Sequence, residues 1–264
     1  MAIPVAGFEA ERFAHDGAER DVYVRGDGPG VVVMHEVPGI TPQVARFARR
    51  VADEGFTVFM PQLFGTPNKP LGAVYGMQSM ARCCIGREWA TLGSRRSSPI
   101  TDWLRALCRY AHGRCGGPGV GAIGMCMTGN FALALMVDEA VMAPVLSQPS
   151  LPLGVTPAAR AGLHLTDDAL AVVKERAAAG CPVLAMRFTH DPLVPAARFE
   201  RLRRELGDAF EGIEIDSGPG NPHGIPRLAH SVVTTHLVDR DGHPTQAALH
   251  RVLGFFHERL RPEA

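Results

Sequence analysis

The chain has 264 residues, 46% hydrophobic and 20% charged, with Lys plus Arg equal to Asp plus Glu. This length and apolar share suit one large or two small globular domains with a sizeable core. Zero formal charge gives no general attraction for nucleic acid or for an anionic membrane, so neither is expected as a partner.

The opening residues, MAIPVAGFEAERFAHD, lack the basic start and apolar stretch of a secretory signal, and no run of 18 apolar residues suggests a membrane span. Of the six cysteines (Cys83, Cys84, Cys108, Cys115, Cys126 and Cys181), none forms a CxxC pair or a zinc-like spacing with histidine. The expectation is a cytoplasmic chain with free thiols and neither metal nor cofactor.

In chain order, FEAERF and RDVYVRG read as an antiparallel hairpin at a sheet edge. GVVVMHE (30–36) is a buried strand. Thr41-Pro42 opens a helix with Thr as N-cap and an apolar face of Val44, Phe47, Ala48 and Val51, closed by Gly55. FTVFMPQL (56–63) is the next strand. Residues 64–98 hold Gly, Pro, Arg and Ser with no sustained period, the signature of a functional loop or cap. Ser98-Pro99 starts a helix carrying Ile100, Trp103, Leu104, Leu107 and Cys108. VGAIGM is a strand running through GMCMTG into a second helical pattern. VMAPVLS (141–147) is a strand, Thr166-Asp167-Asp168 a helix start, PVLAMRFTHD (182–191) a strand, Pro195 to Leu206 a helix, GIEIDS (212–217) a strand, and Pro244 to Leu260 the last helix. Such alternation means a mostly parallel central sheet with helices on both faces, in a single α/β domain over 1–264.

In open α/β sheets ligands sit beyond the carboxyl ends of the strands. Cys126 falls at such an end, between Gly124 and Gly129, in the strand–turn–helix layout of a nucleophile elbow, where the positive end of a helix favours thiolate. Thr128 stands where that layout usually has a second glycine. Read as packing, the same cysteine is a small buried hydrophobe. A nucleophile at Cys126 requires an acid and a base further along the chain. Asp191 lies just past a strand in DPLVP. SGPGNPHGIPRLAHSVVT, after the last strand, offers both His223 and His230 as base. The backbone N–H groups of Val37 and Met127 are candidates for an oxyanion hole, and Glu36, in HEVPG, falls near the thiol.

From about residue 8 to 260 these features resemble the dienelactone hydrolase family, a cysteine-nucleophile branch of the α/β hydrolases. The resemblance implies an α/β-hydrolase fold and a Cys126–His230–Asp191 triad cleaving a small-molecule ester, lactone or thioester through an acyl-cysteine. It ranks His230 above His223 and matches Glu36 to a glutamate that hydrogen-bonds the resting thiol until substrate displaces it. Members that cleave dienelactone hold its carboxylate with arginines, one of them four residues after the catalytic histidine. Here that position is Thr234, and Arg87, Arg95 and Arg96 are the candidates for the other arginine. Two rival readings are a small-molecule binder without turnover on the same fold, and a redox role for the vicinal Cys83-Cys84.

Overall fold

The computed structural model describes residues 2–70, 72, 75 and 98–261. Eight strands form one sheet: β1 (Glu9–His15), β2 (Ala18–Arg25), β3 (Gly30–Met34), β4 (Thr57–Pro61), β5 (Val120–Met125), β6 (Val141–Ser147), β7 (Val183–Phe188) and β8 (Phe210–Ile215). Their order is β1-β2-β4-β3-β5-β6-β7-β8. The β1–β2 hairpin pairs antiparallel and meets β4 antiparallel, while every pairing from β4 to β8 is parallel. Central strands covered on both faces need apolar residues throughout, and GVVVM, TVFMP and VGAIGM are buried at every position. The edge strand β1 alternates instead between exposed and half-buried residues.

Helices cover both faces. On one side lie α2 (Pro99–Cys115), α3 (Gly129–Leu135), α5 (Asp167–Ala178) and α6 (Ala196–Leu206); on the other lie α1 (Pro42–Asp53) and α7 (Pro244–Leu260). Thr41 caps α1 by accepting the Val44 N–H at 3.3 Å, and Val44, Phe47, Ala48 and Val51 are buried as their spacing requires. Each large apolar side chain so buried stabilises the fold by about 1.5–3 kcal/mol. Ser98 and Thr166 cap α2 and α5 in the same way. A one-turn helix, α4 (Pro157–Arg160), was not anticipated, being too short for a period to show.

From β3 the chain passes to β4 on one side and later, through β5, to the other. The crevice past the carboxyl ends of β3 and β5 is therefore the topological switch point of the sheet. Met34 pairs with Gly124, so His35-Glu36-Val37 leaves the sheet beside the turn that carries Cys126. Both strands end earlier than their apolar runs suggest, β3 at Met34 and β4 at Pro61, because the residues beyond turn into this crevice.

Candidate active site

Cys126 begins a short 3-10 turn (Cys126–Thr128) between β5 and α3, with φ of +58°. That left-handed backbone costs a non-glycine residue of order 1–3 kcal/mol and recurs where a side chain is presented to a site. Gly124 makes the turn possible. A Cβ there would stand 1.9 Å from the Thr128 carbonyl oxygen, and one at Gly129 would stand 2.7 Å from Pro149 Cα. Thr128, in place of the usual second glycine, fastens the elbow. Its Oγ1 accepts the Met125 N–H at 2.8 Å and faces the carbonyl oxygens of Met125, Met34 and His35 at 2.9, 3.1 and 3.2 Å. The elbow is thus tied to the end of β3 as well as to itself.

Asp191 and His230 meet at the same end of the sheet. His230 Nδ1 donates to Asp191 Oδ2 at 2.6 Å, and Asp191 Oδ1 accepts the Leu193 N–H at 2.9 Å. A carboxylate on Nδ1 fixes the tautomer, with the proton on Nδ1 and the lone pair on Nε2. Nε2 of His230 is buried and has no hydrogen-bond partner within the described structure. Burial disfavours the charged ring, but the bond to Asp191 and the closeness of the Cys126 sulfur outweigh it and raise the His230 pKa well above the ordinary histidine value. Cys126 Sγ lies 3.4 Å from Ser150 Oγ, and the Cys126 carbonyl accepts the Ser150 N–H at 3.1 Å.

Glu36 is buried at the tip of β3, but the thiol is not its partner. Its Oε2 accepts from Ser231 Oγ at 2.7 Å and Gln148 Nε2 at 3.1 Å, and its Oε1 accepts from Thr234 Oγ1. The expected bond between Glu36 and the resting thiol is therefore replaced: Ser150 takes the sulfur, and Thr234, where an arginine was the point of comparison, takes the carboxylate. His35, fully buried, donates from Nδ1 to the Glu36 carbonyl at 3.1 Å and accepts the Leu63 N–H on Nε2 at 3.0 Å. Burial pushes its pKa down to about 4. Val37 follows, and its N–H has no acceptor among the described residues.

His223 is not brought to this crevice. It is exposed, packs edge-on against His243 with ring centroids 5.3 Å apart, and lines a surface hollow with Ile213, Asp216 and Pro244. Its loop leaves β8, the outer strand of the sheet, and His223 stays exposed there while Ile225 and Ala229 beyond it pack into the core. Arg87, Arg95 and Arg96, and the Cys83-Cys84 pair, lie outside the described residues.

Sequence reasoning missed Gln148, Ser150 and Ser231. Gln148 and Ser150 follow directly on β6 in SQPS, where polar residues past the carboxyl end of a buried strand were a readable signal. Gln148 is fully buried at φ of +37°, and its Oε1 accepts the Val232 N–H at 3.3 Å. Arg198, buried on α6, braces the Ser150 segment from below. Its guanidinium donates to the carbonyl oxygens of Pro149 at 2.6 Å, Pro152 at 2.8 Å and Gly162 at 2.8 Å. No group of three or more His, Cys, Asp or Glu among the described residues is arranged to hold a metal ion. No helix among them is long and apolar enough to cross a membrane.

The fold and the family both have counterparts among known proteins. A Saccharomyces cerevisiae protein named "Putative carboxymethylenebutenolidase" is 27% identical over 119 residues, which is 45% of this chain and 42% of that protein, so the match spans less than half of the relative's length. Among solved structures, dienelactone hydrolase from Anabaena variabilis superposes with a TM-score of 0.62 at 14% identity, covering 96% of this chain and 98% of that one. A cold-adapted esterase from an Arctic intertidal metagenomic library superposes with a TM-score of 0.60 at 14% identity, covering 98% and 97%. These structural likenesses show a shared α/β-hydrolase fold. The family comparison reaches further, matching residues 21–260, and the chain belongs to the dienelactone hydrolase family.

Proposed function

We propose that the protein hydrolyses a small carboxylic ester, lactone or thioester through Cys126, His230 and Asp191. The observation that carries this reading is the orientation of one imidazole. His230 is anchored through Nδ1 to a buried carboxylate while its unpartnered Nε2 stands beside the only described cysteine with left-handed backbone. In this reading His230 takes the Cys126 proton as the thiolate attacks the substrate carbonyl, and the imidazolium is stabilised by Asp191. The N–H groups of Met127 and Val37 receive the oxyanion, a contribution of about 3 kcal/mol per donor in comparable sites. His230 then returns the proton to the leaving alkoxide or thiolate. Finally it activates a water that cleaves the acyl-cysteine, restoring the thiol.

Among the described residues, the position four beyond His230 favours an uncharged ester or lactone. Four residues after His230 stands a neutral threonine whose hydroxyl is committed to Glu36, so a substrate carboxylate placed there would meet a carboxylate rather than a cation. The test is turnover of p-nitrophenyl acetate and of a panel of lactones, with Cys126→Ala alongside and mass spectrometry of the trapped enzyme. An acyl adduct on Cys126, with turnover abolished in the variant, supports the reading. Equal rates in both proteins refute it. Faster cleavage of p-nitrophenyl hydrogen succinate than of p-nitrophenyl butyrate would refute the neutral-substrate part alone.

A further inference from the structure

We propose that Glu36 is a positioning residue that latches the segment carrying His230 through Ser231 and Thr234, and that Ser150 holds the resting thiol in its stead; the role of His230 rests on the reading above. Between Ile215 and Pro244 the chain forms neither helix nor strand, so no backbone ladder fixes the 28 intervening residues (216–243). Loop backbone without such a ladder must be held by side chains if it is to present a base to within a fraction of an ångström. Besides the His230–Asp191 bond, five hydrogen bonds to three side chains hold the segment from His230 to Thr234. The His230 and Ser231 N–H groups donate to His236 Nδ1 at 3.3 and 3.1 Å, and the Val232 N–H donates to Gln148 Oε1. Ser231 Oγ and Thr234 Oγ1 both donate to Glu36. Glu36 is the contact that ties this segment to β3, across 195 and 198 residues of sequence, and so fixes the base relative to the oxyanion-hole strand.

Most of the accepting capacity of Glu36 is already committed to the latch in this state. A carboxylate offers about four lone-pair positions in its plane. Three are filled here, by Ser231, Thr234 and the Gln148 amide, itself held by Ser147 Oγ on Oε1. Turning the carboxylate toward the thiol would stretch these bonds, and breaking one would leave a buried hydroxyl or amide unsatisfied. Cys126 Sγ meanwhile has Ser150 Oγ at 3.4 Å, a neutral partner that orients the sulfur without competing for the His230 nitrogen. The groups that set the charge of His230 are Asp191 and Cys126; His236, close enough to feel His230, Glu36 and Asp191, is held below the ordinary histidine value chiefly by burial.

Two readouts separate a latch from a thiol partner: kcat with KM for an activated ester, and the pH profile of Cys126 alkylation by iodoacetamide, which reports the thiolate–imidazolium pair directly. Thr234→Val removes one donor to Glu36 without touching the sulfur. It is expected to lower kcat and the alkylation rate near pH 6.5 together by roughly tenfold, with KM within about twofold, since hydrogen bonds to a charged group carry that much. Glu36→Ala, which removes all three bonds, is expected to lower both at least as much, and the double variant to be no worse than Glu36→Ala, because the Thr234 bond is already lost in it. Thr234→Ser, which keeps the hydroxyl, is expected to restore wild-type behaviour. A wild-type alkylation profile in Thr234→Val, or effects that multiply in the double variant, would overturn the latch. So would a Glu36→Ala profile altered while Thr234→Val stays normal. If Glu36→Ala does not fold, the Thr234→Val and Thr234→Ser pair decides alone. The alkylation profile needs no turnover, so it reads the latch even in a protein that hydrolyses none of the esters tried. Conversely, a wild-type Cys126 that alkylates no faster than a free thiol at neutral pH counts against the triad and not against the latch.

Discussion

His35 makes the acid stability of this protein calculable. Its ring is fully buried at the tip of β3, with Nδ1 donating to the Glu36 carbonyl and Nε2 accepting the Leu63 N–H, so both nitrogens are satisfied only in the neutral form. Burial lowers its pKa from 6.5 to about 4. A depressed histidine pKa means that the unfolded chain binds a proton that the native state excludes. The stabilisation is therefore present in full above pH 6.5, declines as pH falls, and is lost by the time pH has fallen through about 4. The loss amounts to about 2 kcal/mol at pH 5 and about 3 kcal/mol at the acid limit. Carboxylates and other histidines titrate over the same range; His164, also lowered to about 4 by burial, is one of them. The quantity to measure is therefore the difference between wild type and His35→Gln, whose amide keeps a donor and an acceptor but does not titrate. Urea unfolding followed by tryptophan fluorescence at pH 7.5, 6 and 5 gives that difference. The variant is expected to be less stable at pH 7.5 and to close the gap by about 2 kcal/mol at pH 5. A difference constant across the three pH values would show that the ring is protonated as easily folded as unfolded, and the assignment of its two hydrogen bonds would fall.

Asp191→Asn is expected to leave the fold intact and to reduce ester turnover by about four orders of magnitude, since an amide permits the wrong imidazole tautomer; stopped kinetics at high enzyme concentration measures this. The same change removes the bond that helps to raise the His230 pKa. That bond's stabilisation is present below the ordinary histidine value and fades as pH rises through the higher folded value, so the gap in melting temperature between the proteins is expected to narrow on the alkaline side. Thr128→Val keeps the shape of the side chain but strands the buried Met125 N–H and frees the carbonyl oxygens of Met34 and His35. It is expected to cost about 1–3 kcal/mol in chemical denaturation and to depress turnover in parallel. Unchanged stability would mean that the elbow is held by its glycines alone.

Much of the architecture was written locally. The caps Thr41, Ser98 and Thr166, the apolar runs of β3 to β7 and the faces of α1 and α7 each depend on neighbours within a few residues; the caps and faces appear where their spacing put them, and the strands lie within the apolar runs that marked them. Cys126, Asp191 and His230 were legible as candidates for a related reason: each follows the carboxyl end of a strand or the last strand, and topology alone gathers such positions at one edge of the sheet.

What the chain order left open was which side chain touches which. Glu36 and Thr234 are 198 residues apart, and no periodicity carries the information that Glu36 will accept a hydrogen bond from Thr234 in place of a thiol. Ser150 and Gln148 acquire meaning only because Arg198 and the left-handed backbone at Gln148 turn their segment toward the elbow. His223 and His230 were equivalent as residues in a loop, until the path of that loop put one on the outer edge and the other against Asp191. Hydrogen bonds act over about 3 Å, while sequence patterns report only which face of an element is buried. Sequence could therefore name the candidates for the site, and only the packed chain could decide their partners.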